Sequence, residues 1–122
     1  GEMSRFLLAL KSMLTNQDGS SILLFDEIDS GVSGRVSSYV AQLLKKLSIH
    51  RQILCVTHQP LIAASADNHL SVTKSVVQGT SRSNVSYLDF LEDRQKELAS
   101  LAGGNYSDAM VYAASLLDQQ AA

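Results

Sequence analysis

Two short apolar segments of this chain end in polar side chains suited to binding and hydrolysing a phosphate anhydride. The segment SILLFDEIDS (residues 21–30) contains Asp26 and Glu27, and ILCVTH (residues 53–58) ends at His58. Mg²⁺ prefers carboxylate and water oxygens, so Asp26 is a candidate for holding that ion directly or through water. Glu27 would polarise an attacking water, and His58 would contact the terminal phosphate. These residue types predict a nucleoside triphosphatase.

Each of these residues also has an ordinary structural explanation. An Asp-Glu pair after an apolar strand is common, a lone histidine is more often structural, and His50 and His69 lack a comparable setting. The order of the segments favours the catalytic interpretation. A strand ending in Asp-Glu, a helix, and a strand ending in Thr-His form a βαβ unit, which brings both polar endings to one edge of a parallel sheet.

The spacing of apolar residues predicts an α/β chain. The predicted strands cover residues 22–25, 53–56, 69–76 and 84–88, and the predicted helices cover residues 3–14, 35–47, 61–66, 90–101 and 108–117. The first strand is expected to be buried on both faces, as in a parallel sheet. Residues 16–20 read as a turn, and Ser33 is placed to cap the second helix. Asn105 or Ser107 is expected to cap the last one.

Composition narrows the class of protein. At 122 residues the chain is one domain at most, and ten Lys and Arg against twelve Asp and Glu leave no overall charge typical of nucleic-acid binding. Any DNA contact is therefore local or made by other parts. The single cysteine, Cys55, excludes an internal disulfide and fits a reducing cytosol. No apolar run of about 20 residues is present, which argues against a membrane span, and no signal peptide is visible.

The first residues, Gly1-Glu2-Met3-Ser4-Arg5, lead directly into an amphipathic helix. Free backbone N–H groups and the positive end of the helix dipole make such a terminus a natural phosphate site. A simple capped helix is the alternative, because a motif of this length is short.

Residues 1–5, LLFDEIDSGVSG and LCVTH together resemble the carboxyl-terminal half of an ABC-type ATPase head of the SMC-like class. The resemblance implies that Asp26 is the Walker B aspartate, Glu27 the catalytic glutamate and His58 the H-loop histidine. It also implies that nucleotide contacts come from the end of the signature motif, the D-loop and the residue after His58. These are Gly1, Glu2, Ser4, Arg5, Ser30, Gly31, Ser33 and Gln59, although Gln59 equally suits a helix cap.

Longer segments resemble the members of this class that act in bacterial DNA double-strand-break repair. They are DEIDSGVSG, CVTHQPLIAASADNHLSVTK and ELASLAGGNYSDAMVYAASLL. The resemblance implies that residues 1–122 form the carboxyl-terminal lobe of a head, with a mostly parallel sheet, flanking helices and a late hairpin. It implies ATP and Mg²⁺ as cofactors and ATP sandwiched between two copies of the head. Its other implied partners are the amino-terminal lobe of the same head and DNA. It implies no contact with a membrane and a location in the bacterial cytoplasm, associated with the nucleoid.

Two departures from the family pattern stand out. Ser33 occupies a position where many ABC D-loops carry aspartate, which puts the usual contact across the dimer in doubt. No Gly-x-x-x-x-Gly-Lys-Ser/Thr motif occurs, so these residues include no P-loop to cradle phosphates. The chain is therefore expected to be a fragment that does not turn over ATP alone and that exposes unpaired sheet edges and apolar faces.

Three alternatives stay open. One is the head of a chromosome-organising SMC or cohesin-like ATPase, which the length of the coiled coil would distinguish. Another is a non-catalytic interaction module, in which Glu27 and His58 would tolerate alanine. A transport ATPase subunit is the third, and the absence of a basic or amphipathic membrane-docking segment does not favour it.

Overall fold

A computed structural model describes residues 2–15 and 22–121, with the backbone alone at residues 2–4 and 15. Gly1 and the turn predicted at residues 16–20 lie outside this part of the chain. The chain divides into two compact units, Gly1–Ser65 and Ala66–Ala122. In chain order the elements are α1 (Glu2–Thr15), β1 (Ile22–Asp26), α2 (Gly34–Leu47), β2 (Gln52–Val56), α3 (Pro60–Ala64), β3 (Leu70–Val77), β4 (Thr80–Tyr87), α4 (Leu91–Ala102) and α5 (Tyr106–Ala121).

The first unit contains the predicted βαβ unit. Strands β1 and β2 pair in parallel, with Ile22 opposite Gln52 and Asp26 opposite Val56. Because the two strands end level with each other, the segments that follow them emerge side by side. The prediction that the Asp-Glu and Thr-His endings share one edge of the sheet is confirmed.

Helix α2 forms the centre of the core of the first unit. Its apolar residues repeat at helical spacing, and those that face inward are buried: Val40, Ala41, Leu43, Leu44 and Leu47. They pack against α1, α3 and one face of the sheet, where Phe25 and Ile53 lie. Phe6 of α1 meets Phe25 edge-to-face, with ring centroids 6.4 Å apart. Burial of the apolar stripe thus holds α1, α2 and the sheet together.

The prediction that β1 is buried on both faces is wrong. Along β1 and β2 the side chains alternate between half-buried and exposed positions. Leu23, Phe25, Ile53 and Cys55 lie on the half-buried face, whereas Leu24 on the opposite face is 67% exposed. A continuous apolar run is typical of a strand covered on both sides, but helices of this unit cover only one side. We call the exposed apolar residues Ile22, Leu24, Leu54 and Val56 the open sheet face.

The helix starts in the first unit follow the predictions in part. Ser33 is the N-cap of α2, but its hydroxyl makes no capping hydrogen bond. Instead, its carbonyl accepts hydrogen bonds from the Ser37 backbone N–H at 2.9 Å and the Ser37 hydroxyl at 3.1 Å. Pro60 occupies the first turn of α3, where its missing N–H costs no helical hydrogen bond.

The second unit begins with an antiparallel hairpin whose second strand is longer than predicted. Strand β4 starts at Thr80 and pairs with β3 over its full length, so residues 80–83 are strand rather than loop. The turn is reduced to Gln78 and Gly79, with φ of 50° and 75°. Positive φ at both residues matches the right-handed twist of paired strands, which explains a glycine there. The polar sequence of β4 hid the strand, since it lacks alternating apolar residues.

Helices α4 and α5 complete the second unit. Their buried residues are mostly small or branched: Leu98, Ala99, Ala109, Ala113, Leu116 and Leu117. The amide of Gln95 donates a hydrogen bond to the Met110 carbonyl at 3.0 Å. Asn105 precedes α5, and its side-chain oxygen accepts hydrogen bonds from the backbone N–H and hydroxyl of Ser107, which confirms the predicted cap. Among the described helices, none is long and apolar enough to cross a membrane.

Acidification is expected to destabilise the second unit through His69. Burial, and then the positive charge of Arg94, lower the pKa of His69 below its ordinary value of 6.5, while Glu97 opposes them. The unfolded chain therefore binds a proton at a higher pH than the folded chain does. The free energy of unfolding should fall as the pH is lowered from about 7.5 to about 5.5. Denaturant titration at each pH measures it.

Two variants test whether His69 causes this pH dependence. His69→Gln should flatten it, whereas the same change at the exposed His50 should leave it as in the original chain. Equal pH dependence in the chain and in His69→Gln would contradict this assignment.

Candidate functional site

The candidate site lies at the carboxyl ends of β1 and β2. Asp26 is the last residue of β1 and Glu27 follows it, and both side chains are exposed. His58 lies two residues beyond the end of β2, and its side chain is 73% exposed. Ligands of open α/β sheets bind at this end of the strands. All three predicted catalytic and metal-binding residues therefore lie at one sheet edge and are open to a ligand.

Glu27 has a strained backbone. Its φ is 56°, in the left-handed region that residues with a Cβ rarely adopt. Such a conformation costs on the order of 1–3 kcal/mol and is concentrated at functional sites, where the surrounding structure holds it in place. The strained position is thus the residue predicted to act on water.

A tight turn follows Glu27 and carries the predicted D-loop residues. The Glu27 carbonyl accepts a hydrogen bond from the Ser30 N–H at 3.3 Å, and the Asp29 carbonyl accepts one from the Val32 N–H at 3.2 Å. Gly31 has a φ of 72°, which a residue with a side chain would adopt only with strain. Ser30, Gly31 and Ser33 are all exposed, so this turn offers them to a ligand or a partner.

Asp29 is a residue of this site that sequence analysis did not select. Its side chain is 1% exposed, and its Oδ2 accepts three hydrogen bonds from the loop after β2. The donors are the Thr57 hydroxyl at 2.5 Å, the His58 backbone N–H at 2.8 Å and the Gln59 backbone N–H at 3.2 Å. His58 Nδ1 lies 3.1 Å from the same oxygen. The carboxylate thus joins the two loops of the site.

The electrostatics of Asp29 favour its ionised form. Burial would raise the pKa of this carboxyl, but the hydrogen bonds from Thr57, the His58 backbone and the Asp29 backbone, together with the charge of His58, hold the pKa below its ordinary value. The stability that these bonds contribute is present above the ordinary range of a carboxyl group and is lost as the pH falls through the lowered pKa. In the sequence, Asp29 is visible as the third acidic residue of the segment DEID. Nothing in that pattern distinguishes it from a turn residue exposed to solvent.

Cys55 lies on the half-buried face of β2 and does not take part in the site. Burial, and then the charge of Asp29, raise the pKa of its thiol to about 11. A thiol with such a pKa is almost entirely protonated near neutral pH and is a poor nucleophile. In this setting Cys55 acts as a small apolar residue of the strand.

Of the four predicted site residues near the amino terminus, Arg5 is the one whose side chain the structure describes. Arg5 is an exposed residue of α1. In the part of the chain that is described, no hydrogen bond or ion pair connects it to the strand-end residues. Glu2 and Ser4 belong to α1, with their side chains outside the description, and Gly1 lies outside it altogether. Gln59 is half-buried and is the N-cap of α3, although its side chain makes no capping hydrogen bond.

The metal-binding capacity of the site rests on Asp26. Within residues 2–15 and 22–121, no three His, Cys, Asp or Glu side chains are grouped closely enough to hold an ion. Mg²⁺ often keeps several waters and is bound by one or two carboxylates together with substrate phosphates. An exposed carboxylate at a strand end fits that mode and does not fit a metal cage built from protein alone.

Comparison with known families identifies the first unit. Residues 3–64 match the family described as "AAA domain, putative AbiEii toxin, Type IV TA system". The matched region includes α1 from its second residue onward, the βαβ unit and the strand-end residues Asp26, Glu27 and His58.

Curated relatives match the chain over most or all of its length. The chain is 44% identical to the DNA repair protein RecN of Synechocystis sp., with all of the chain aligned. It is 40% identical to RecN of Halalkalibacterium halodurans and 39% identical to RecN of Bacillus subtilis, with 85% of the chain aligned in each case. The chain spans 24% of the length of the first relative and 18% of the other two.

A solved structure is similar as well. It comes from work on the "ATP-driven dimerization and DNA stimulated activation of SMC ATPases", is 28% identical and has a TM-score of 0.57. The match covers 81% of this chain and 60% of the other. These findings confirm the predicted α/β fold of an SMC-like ATPase head and the resemblance to its DNA-repair members.

Proposed function

Because this chain belongs to the AAA-domain family that its residues 3–64 match, we propose that it is the carboxyl-terminal lobe of a RecN-like ATPase head. In this proposal, ATP binding and hydrolysis by the head serve repair of DNA double-strand breaks in the bacterial cytoplasm, close to the nucleoid. The observation that carries the proposal is the level ending of β1 and β2, with Asp26, Glu27 and His58 at one exposed edge. Identity of 44% to a RecN protein favours repair over other SMC-like functions.

The three strand-end residues have separate roles in this proposal. Asp26 holds Mg²⁺, which when bound neutralises charge on the phosphates. Glu27 accepts a proton from the attacking water, and its exposure leaves space for that water beside the carboxylate. His58 contacts the terminal phosphate through its exposed ring. Gln59, next along the chain, is placed for a contact with the nucleotide.

A second copy of the head completes the proposed site. Gly1 and the α1 residues Glu2, Ser4 and Arg5 would contact the terminal phosphate of ATP held by the partner. Helix N-termini bind such groups through free N–H groups and the helix dipole. The exposed turn with Ser30, Gly31 and Ser33 would lie at the contact between the two copies. The similar SMC ATPase structure comes from work on ATP-driven dimerization, which supports this arrangement.

The amino-terminal lobe of the same head is the proposed occupant of the open sheet face. This chain spans 24% and 18% of the length of two of the relatives, so they contain ample additional sequence. No P-loop motif occurs in these 122 residues, and its N–H groups and lysine would have to come from another segment. Exposed Ile22, Leu24, Leu54 and Val56 form an apolar surface suited to burial under such a lobe. DNA would be bound by the longer protein.

Reconstitution tests the proposed function. The chain alone should show no ATPase activity, and mixing it with a P-loop-bearing amino-terminal lobe from the Synechocystis RecN protein should restore activity. Size-exclusion chromatography with light scattering would establish that the two lobes associate. Two folded, associated lobes without activity would instead indicate a non-catalytic interaction module.

A pair of lysine substitutions tests the open sheet face in the same assay. Leu24→Lys places a charge on that face and should prevent both association and activity, because burying an unpaired charge is costly. Ile49→Lys places the same charge in the exposed turn after α2 and should change neither. Normal association of Leu24→Lys would exclude this face as the contact.

A further inference from the structure

One contact of the site concerns the orientation of the His58 ring. Nδ1 of His58 lies 3.1 Å from Oδ2 of Asp29. An ionised carboxylate only accepts hydrogen bonds, so Nδ1 has to carry the proton in this contact. The Asp29 carboxylate is buried, while most of the His58 side chain is exposed. The ring is therefore held from inside by one nitrogen, which leaves Nε2 as the nitrogen available to a ligand.

The same oxygen also fixes the backbone that carries the ring. The backbone N–H groups of His58 and Gln59 and the hydroxyl of Thr57 all donate to Oδ2. Thr57 Oγ1 in turn accepts a second hydrogen bond from the Gln59 N–H at 3.0 Å. Hydrogen bonds to a charged acceptor are about twice as strong as neutral ones. A single carboxylate from the β1 turn thus determines both the loop position and the ring position.

We propose that Asp29 is a positioning residue that keeps a proton on Nδ1 of His58 and so presents Nε2 to the attacking water when the ring is neutral and to the terminal phosphate when the ring is an imidazolium. The neutral ring protonated at Nδ1 accepts a hydrogen bond at Nε2, as from water, whereas the imidazolium donates one there, as to a phosphate oxygen. The tautomer follows from the contacts alone, whereas its catalytic meaning rests on the proposed function.

The other carboxylate oxygen makes the substitution Asp29→Asn informative. Oδ1 is buried and has no hydrogen-bond partner among the described residues. Asparagine can place its oxygen at the position of Oδ2, where it still accepts hydrogen bonds from the loop N–H groups. Its amide nitrogen then takes the position of Oδ1, which makes no hydrogen bond to the loop. The substitution removes the negative charge that favours the proton on Nδ1, so the tautomer preference weakens while the loop retains an anchor.

Nitrogen NMR of the histidine rings tests the tautomer directly. In the 15N-histidine-labelled chain, above the pH range in which histidine titrates, His58 should be protonated at Nδ1 and unprotonated at Nε2. In Asp29→Asn the two tautomers should become mixed or the preference should reverse. Exposed His50 provides the reference for a ring in solvent. A His58 spectrum in the original chain that matches the reference or shows protonated Nε2 would overturn the proposal.

Thr57→Val separates ring orientation from general loosening of the loop. It removes one donor to Asp29 but leaves the contact between Asp29 and Nδ1. The variant should keep the Nδ1-protonated tautomer, even if the loop is less stable. Loss of that tautomer in Thr57→Val would show that packing of the loop, and not the Asp29 carboxylate, determines the orientation and tautomer of the His58 ring.

Activity of the reconstituted head then tests the consequence for catalysis. Asp29→Asn should lower the ATPase rate about 10- to 100-fold, as is typical when a group that orients a functional histidine is changed. An altered tautomer with an unchanged rate would contradict the role proposed for His58 and leave the positioning by Asp29 intact. An unaltered tautomer would contradict the positioning whatever the rate.

Discussion

Replacing Glu27 with glutamine is expected to lower the rate of ATP hydrolysis by the reconstituted head about 10²- to 10⁴-fold, the usual contribution of a general base. Glutamine has nearly the same size but does not accept a proton from water near neutral pH. It also keeps a Cβ, so the backbone strain at φ 56° is the same in both proteins. The steady-state rate and the affinity for ATP would be measured together. Affinity should be retained, because the side chain acts on water.

The matched control is the same chemical change in the second unit. Glu92 is an exposed residue of α4 whose carboxylate lies 2.9 Å from Lys96 Nζ, one helical turn away. Exposed pairs of this kind contribute little to stability, so Glu92→Gln should leave the ATPase rate unchanged. Hydrolysis that survives Glu27→Gln at the original rate would remove Glu27 from the catalytic assignment and favour a structural role for the strand-end residues.

Truncation of Leu10 to alanine is expected to lower the free energy of unfolding by about 2–5 kcal/mol. Leu10 is 1% exposed and packs with Leu43 and Leu47 of α2. Removing its branched end forfeits the transfer free energy of the lost atoms and leaves a cavity between the two helices. Small domains are stabilised by only about 5–15 kcal/mol, so the loss is a large share of the total. Urea denaturation followed by circular dichroism would measure it.

Leu8 on the same helix provides the control for this truncation. Its side chain is 66% exposed, so Leu8→Ala removes the same atoms without opening a cavity. The free energy of unfolding should change by less than about 0.5 kcal/mol. Equal effects of the two truncations would mean that α1 does not pack through the face that contains Leu10.

The elements of the first unit were predictable because their signals are local. The apolar stripe of residues 35–47 recurs at helical spacing, and the only proline falls at a helix start, so α2 and α3 follow from short stretches of sequence. The hairpin of β3 and β4 is harder to predict from sequence. Its second strand reads Thr-Ser-Arg-Ser-Asn before Val85, and a polar strand of this kind is recognised only by its pairing with β3.

Burial was the property that local pattern predicted least well. The apolar run from Ile22 to Phe25 suggested a strand covered on both faces, yet Leu24 is largely exposed. The hydrophobicity of a side chain indicates how much free energy its burial would contribute. Whether the side chain is buried depends on the elements that pack against it in the fold. The open sheet face is the result, and the proposed amino-terminal lobe is its physical explanation.

The sequence by itself determined the order of strand, Asp-Glu, helix, strand and Thr-His, and with it the candidate roles of Asp26, Glu27 and His58. Only the tertiary structure brought the buried carboxylate of Asp29 to the loop that begins at Thr57, 28 residues along the chain. Side-chain spacing within a strand or helix is set by backbone geometry and is legible in sequence. A hydrogen bond between two loops depends on how the strands before them pair, and that is decided by packing.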